Sequence, residues 1–484
     1  MDTTLIEGFM FNKLILKYLQ KGSLLSLSLI FALTLISTLV IAAGEPALPS
    51  QETLSLERAI LSAQAKDPWL IGNQHQQDAT EAMSTVVGNL PDPKLSFGLA
   101  NIATDSFDFR QERMTQLKFG VTQMFPRGRS RELKREQLVL LGSRYPHQRE
   151  DRKAKIGVMA AKLWFDAYKA QESITLIEND RALFEQLADV AQASYSSAVG
   201  RTRQQDIVRA QLELTRLDDR LLMLKQQKDV FQQRLSELLN NYQGGAYQNL
   251  VVEIPHLASQ LPNVQMLRGM LFLKEETVDP QVLYEYLSKH PSVMALDQKI
   301  KASKRGIDLA KQNYKPEWGV NVGYGYRADP KVGGERADLF SLGVTLDLPF
   351  FTANRQDKQL SAAVSTSAAI ETERWMLVRK LMASFKASHS ELIRLKQRHA
   401  LFEEKLLPQM RDQAEASLNA YTNDDGNFAE VVRARIAELN AIIDALGINV
   451  DKQKSIIELN YFFISKADEM LGNQRVPSRH SGES

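Results

Sequence analysis

Hydrophobic residues recur along this chain with two different periods, and the period switches at fixed places. Trp318, Val320, Val322, Tyr324 and Tyr326 alternate with Gly319, Asn321, Gly323 and Gly325. The turn-rich segment Asp329-Pro330-Lys331-Val332-Gly333-Gly334 follows. Phe340, Leu342, Val344, Leu346 and Leu348 then alternate with Ser341, Gly343, Thr345 and Asp347. Period two, with one apolar face and one small or polar face, predicts two strands. A fainter pair lies upstream: Leu95, Phe97 and Leu99, then Leu117, Phe119, Val121 and Phe125 opposite Lys118, Gly120 and Thr122. Pro126 and Pro349 end these runs, because proline cannot donate to a ladder.

Elsewhere the period is helical. Opening helices are expected from Leu54 to Val87 and from Val282 to Asn313. After the first strand pair, apolar residues fall at steps of three and four from Ala160 through Leu163, Ala167, Ala170, Ile174, Ile177 and Phe184 to Tyr195. Beyond a turn at Gly200 the same spacing runs from Ile207 through Leu214, Leu221 and Phe231 to Leu238, and Val432, Ile436, Leu439, Ile443, Leu446 and Val450 repeat it. A seam sustained this long predicts coiled-coil packing. A helix from Arg129 to Ala198 would be roughly 100 Å long, which makes a rod or tube.

These elements occur twice. Asp67-Pro68 recurs as His290-Pro291, Pro93 as Pro316, and Gly120-Val121-Thr122 with Pro126 as Gly343-Val344-Thr345 with Pro349, all 223 residues apart. Tyr195 and Gly200 match Tyr421 and Gly426 at 226, and Asp206 matches Glu430 at 224, so the second copy is two residues shorter at its turn. A constant offset of this kind marks a duplicated fold. The pattern breaks between Asn240 and Glu276. The expected layout is a first repeat over 44–245, an insert over 246–278, a second repeat over 279–470 and a disordered polar tail over 471–484. Before them, Lys13, Lys17 and Lys21 precede an uncharged run from Gly22 to Gly44 that ends in small residues. Residues 1–43 therefore read as a secretory signal peptide, with an uncleaved membrane anchor as the other reading.

Composition removes chemistry more than it adds. The 60 basic and 58 acidic residues alternate finely, which gives no basic face for nucleic acid. With no cysteine there is no disulfide, thiolate site or lipidated N-terminal Cys. The seven histidines are scattered and the 14 methionines form no cluster, so neither a metal site nor a cofactor is expected. No phosphate loop, nucleophile elbow or paired His–Glu motif occurs, and the chain is not expected to be an enzyme. Two hairpins of bilayer-spanning length cannot close a barrel alone, and lipid does not tolerate open edges. The barrel must be shared between subunits, with the long helices gathered into a tube continuous with its lumen. The fold class is thus mostly α with membrane β; a trimer would close about 12 strands.

Over essentially all of the mature sequence the chain resembles the TolC family of outer-membrane efflux proteins. The resemblance is carried by the duplication, His290-Pro291, Lys315-Pro316, the Leu346-Asp347-Leu348-Pro349-Phe350-Phe351 exit with Asn354-Arg355, and the two helical tips. Pro91 to Leu95, Gln111 to Thr115 and Gln123 to Gly128 are similar to the branch that partners heavy-metal resistance-nodulation-division pumps. The resemblance implies a homotrimer in outer-membrane lipid reaching into the periplasm, docked by a periplasmic adaptor protein and fed by an inner-membrane pump. It also implies a periplasmic gate at Glu430 and Arg433, with Asp424 and Asp425 in the turn. Rings of acids would attract cations; turn formation alone is the other reading for the two aspartates. Arg433 stands where the family often has a second acid, which implies an ion pair, between subunits or within one, in place of a doubly acidic ring. Adaptor contacts are implied at Val199, Gly200, Arg201 and Thr202 in the first tip and at Gly426, Asn427 and Phe428 in the second, against a purely structural turn. The basic cluster Arg127, Arg129, Arg131, Lys134 and Arg135 reads as a solvated helix start or as lumen selectivity. Two other functions are open to the pattern: a conduit for type I protein secretion, which shares the fold and which the sequence does not separate, and a periplasmic coiled-coil scaffold or adaptor, which should carry one helical hairpin and not two.

Overall fold

A computed structural model of the chain describes residues 53–196, 204–240, 254–267, 278–423 and 428–464. The expected signal peptide and tail lie outside the described residues. The first repeat opens with α1 (Leu56–Lys66) and α2 (Pro68–Gly88). It continues with β1 (Lys94–Ala100), β2 (Gln116–Phe125), α3 (Ser130–Gly142), the 53-residue α4 (Arg144–Ser196) and α5 (Gln204–Leu239). The second repeat has α6 (Pro280–Leu287), α7 (Pro291–Gln312), β3 (Glu317–Tyr326), β4 (Leu339–Asp347), α8 (Gln356–Leu401), α9 (Leu407–Thr422) and α10 (Phe428–Tyr461). Lys94 and Glu317, and Gln116 and Leu339, start their strands 223 residues apart.

The opening helix of each repeat is not continuous, contrary to expectation. Asp67 both ends one helix and caps the next, whereas α6 ends at Leu287 with Ser288 as its C-cap and His290 caps α7; proline takes the first position of each new helix. Proline tolerates that position because its missing N–H would have no helical partner there. Asp67 accepts from Trp69 N–H at 3.1 Å and His290 from Ser292 N–H at 3.3 Å. The long helix of the second repeat also breaks its pattern. Between α8 and α9, Phe402–Leu406 form a π-helical turn in which Leu407 N–H donates to Phe402 O. Pro408 follows and can supply no amide to the ladder.

The strands form one antiparallel sheet in the order β1-β2-β3-β4. Its register lines like with like: Leu95, Val121, Val322 and Leu342 form one row, and Ser96, Gly120, Gly323 and Ser341 the next. The helical seams are buried as the spacing requires, with Ala160, Ile177, Leu235 and Val450 inaccessible. Tyr195, expected at the end of its seam, is instead exposed. Trp164 and Phe165 anchor one core where α1, α4, α5 and α10 meet. Phe184, Leu217, Phe428 and Leu439 form another toward the tips, and Leu287, Phe385 and Phe463 a third. The described part of the insert, 254–267, is a strap across these helices. Leu54 and Leu257 form an isolated bridge, and Gln453 and Asn460 of α10 accept from the Val264 and Leu267 amides.

Candidate functional site

The sheet is the first candidate, because its two faces differ so sharply. On one face Leu95 is 80% exposed and Phe340 72%, with Phe97, Leu342 and Val344 similarly bare. A contiguous apolar surface of this kind on an isolated chain marks a membrane or protein contact. The other face carries Gly98, Gly120, Gly319, Gly323, Gly325 and Gly343 among Ser, Thr and Asn. Thr122 donates to Asn321 at 2.9 Å and Asn321 to Thr345 at 3.0 Å, so the polar groups of this face are tied across three strands. Two of its glycines make room for a neighbour. A Cβ at Gly319 would meet Met124 Sδ at 2.6 Å, and one at Gly120 would meet Ser96 Oγ at 2.6 Å. Side chains thus lie flat across adjacent glycines, and the face stays shallow. Among the described residues, neither sheet edge, β1 or β4, has a partner strand.

Where the sheet meets the helices, Arg127 acts as a latch and not as a solvated or lumen-facing cation. Its guanidinium donates to the carbonyls of Asn313 and Lys315 at 3.1 and 2.9 Å, bonds Asp347, and lies 3.8 Å from Glu317. Arg129 pairs with Glu132, Arg131 donates to Gly88 O, and the Arg135 stem packs at Gly88. Gly128 between them has φ +46°, and a Cβ there would meet Gln312 and Lys315 side chains at 2.5 and 2.6 Å. Arg127 and Arg131 therefore fasten the strand-to-helix junction, while the side chains of Arg129 and Lys134 stay exposed and, among the described residues, bond only to α3.

At the far end of the helices, Glu430 and Arg433 lie in the first turns of α10 on its exposed side, while Phe428, Ala429, Val431, Val432 and Ala434 are buried. Neither forms an ion pair with another described residue. Glu430 sits where a helix start favours negative charge. Phe428 corrects one expectation: its ring is 2% exposed and meets Tyr421 edge-on at 5.6 Å, so it anchors the tip and offers no docking surface. Asp424, Asp425, Gly426 and Asn427 lie outside the described residues, as do Val199, Gly200, Arg201 and Thr202.

Sequence reading missed a half-buried charge group where α4 meets α10. Glu438 accepts from Arg435 at 2.8 Å and lies 3.9 Å from Arg411 on α9. Burial pushes the Asp180 carboxyl above its ordinary range; Glu438 adds to the shift and Arg435 opposes it. Deeper along the same seam, Lys454 pairs with Asp166 at 2.7 Å and Lys162 with Glu458. Arg435 and Glu438 stand at helical spacing, but no spacing rule finds the pairs between α4 and α10, whose partners are hundreds of residues apart. Among the described residues no group of acids and histidines is placed to hold a metal ion, and no helix is long and apolar enough to cross a membrane.

No family model matches the sequence, and neither does any curated protein. Solved structures do match. The outer-membrane channel OprN aligns with TM-score 0.66 at 14% identity, over 85% of this chain and 90% of that one. The CmeC outer membrane channel of Campylobacter jejuni aligns with TM-score 0.67 at 11% identity, over 84% and 85%. CusC, described for its folding and transmembrane channel formation, aligns with TM-score 0.66 at 12% identity, over 84% and 91%. The chain has the fold of these TolC-like outer-membrane channels, mostly helical with a few strands.

Proposed function

We propose that this chain is the outer-membrane channel subunit of a tripartite efflux system. It works as a homotrimer in the bacterial outer membrane and extends into the periplasm. An adaptor protein docks on its tips, and a resistance-nodulation-division pump in the inner membrane supplies the energy that a passive conduit lacks. The observation that carries this reading is the sheet. It has an apolar face, a shallow polar face and two open edges, a combination that lipid tolerates only when further copies close the edges. The fold shared with OprN, CmeC and CusC supports it.

The apolar face meets lipid, and the glycine-rich face lines a lumen continuous with the helical tube. The gate lies at Glu430 and Arg433, with Asp424 and Asp425 in the turn. The adaptor contacts are Val199, Gly200, Arg201, Thr202, Gly426 and Asn427. The transported substrate is a metal cation or a drug. Deleting the gene and measuring sensitivity to metal ions, dyes and bile salts side by side separates these: sensitization to metals alone assigns the heavy-metal branch.

The test of the conduit and its gate is electrical. Purified full-length protein in a planar bilayer should conduct ions, and Glu430→Gln should weaken its preference for cations without abolishing conductance. A wild-type protein that inserts and never conducts would overturn the channel reading. Conductance with unchanged selectivity in Glu430→Gln would overturn the gate assignment alone.

A further inference from the structure

The duplication makes the junction between the two repeats a template for the junction between two chains. Inside one chain β2 hands over to β3 with Thr122 opposite Asn321, Val121 opposite Val322 and Met124 opposite Gly319. Moving the first partner forward and the second back by the 223-residue repeat sets β4 against β1 of a second copy. Thr345 then faces Gly98 of the second copy, Val344 faces Leu99 of the second copy, and Asp347 faces Ser96 of the second copy. We propose that subunits join in this register. The proposal rests on the shared-barrel reading above and adds what that reading leaves open: which residues meet at the seam.

Several independent observations fit. Successive strands alternate in direction, so β4 meets β1 of another copy antiparallel, like every pair within the chain. The register preserves the faces, bringing Val344 to Leu99 of the second copy on the apolar side and Thr345 to Gly98 of the second copy on the glycine side. The side chains brought together are among the barest of the sheet. Leu95 and Phe97 are 80% and 69% exposed, against 43% for Phe119 and 40% for Val322 on the inner strands.

The stagger is also right for closure. The row through Lys94 passes Thr122 and Asn321 and reaches Gly343, which in this register faces Ala100 of the second copy. Each subunit thus advances the row by about six residues. Three copies advance it by about 18 over about 12 strands, which corresponds to a tilt of about 45°, at the upper end of the range for closed barrels. A seam with Gly343 opposite Lys94 of the second copy would have no stagger and could not close.

The strand-to-helix junction supplies a further match. Within the chain, Arg127 latches onto the carbonyls of Asn313 and Lys315. The repeat places Phe350 where Arg127 stands, and Leu90 and Asp92 where those carbonyls stand. Phe350 is 77% exposed and Leu90 43%. The polar latch inside the chain is thereby replaced, between chains, by Phe350 seated on Leu90 of the second copy.

The chain has no cysteine, so paired substitutions read the register directly. The full-length double variant Ser96→Cys/Asp347→Cys, oxidised in outer-membrane fractions and run without reductant, should convert mostly to a covalent trimer. The shifted pairs Lys94→Cys/Asp347→Cys and Gly98→Cys/Asp347→Cys should stay monomeric, because a two-residue slip carries the Cα atoms beyond the ~7 Å that a disulfide spans. Phe97→Cys/Leu346→Cys reports the same register from the apolar face, should the loss of Asp347 weaken the Arg127 latch. Cross-linking through a shifted pair overturns the register and leaves the shared barrel standing. A trimer that cross-links through none of the pairs does the same. Monomers in detergent, with no cross-link, overturn both.

Discussion

His290 begins α7 with its imidazole fully committed. Nδ1 accepts from the Ser292 amide and hydroxyl, and Nε2–H donates to the Tyr461 carbonyl at 3.1 Å. This fixes the neutral Nε2–H tautomer. Burial holds the His290 pKa below its ordinary value, outweighing the opposing pull of Asp151. Because the folded pKa lies below the unfolded one, the stability this group contributes is complete above about pH 6.5 and is lost as pH falls through the folded value. His290→Asn keeps a capping oxygen but loses both the bond to Tyr461 and the titration. It should cost about 1–2 kcal/mol at neutral pH and flatten the acid loss. Melting temperatures at neutral pH and near pH 5 check this; an acid loss as large as in the wild type would exclude His290 as its source.

Among the elements, those governed by a local period were legible and those governed by distant partners were not. The strands appeared where alternation placed them, and the helical seams buried Ile177, Leu221 and Leu439 as their spacing demands. The opening helices were read through Asp67-Pro68 and His290-Pro291 because apolar residues continue on both sides. There a side chain that accepts from the helix's first amides, followed by proline, outranks the period. The Arg127 latch and the Asp180–Glu438 group join segments far apart in sequence, which no window of residues contains. The π-helical turn at Phe402–Leu406 was equally hidden. It amounts to one extra residue in a helix, whereas the matching stretch of α4 is unbroken. Deleting Glu404 should therefore leave the register of α9 against α10 intact and restore a continuous helix. The expected readout is a melting temperature equal to or higher than that of wild type. A loss of several degrees would show that the extra residue is needed for packing at that level.

At the scale of the whole molecule, the chain carries two surfaces that water does not suit: an apolar sheet face and a pair of open strand edges. The helices below it are satisfied by their own cores, with Trp164, Phe385 and Leu439 fully buried within a single chain. Among the described residues a single chain leaves the sheet face and edges bare, as it does Leu222 on α5 and Trp375 on α8; in the assembly proposed above, further copies complete the edges. The most direct measurement is the mass of the full-length protein extracted by detergent from outer-membrane fractions, read by light scattering with the detergent contribution removed. The account expects three times the 54.6 kDa of the chain, less any signal segment removed on export. A monomer released without detergent would contradict it.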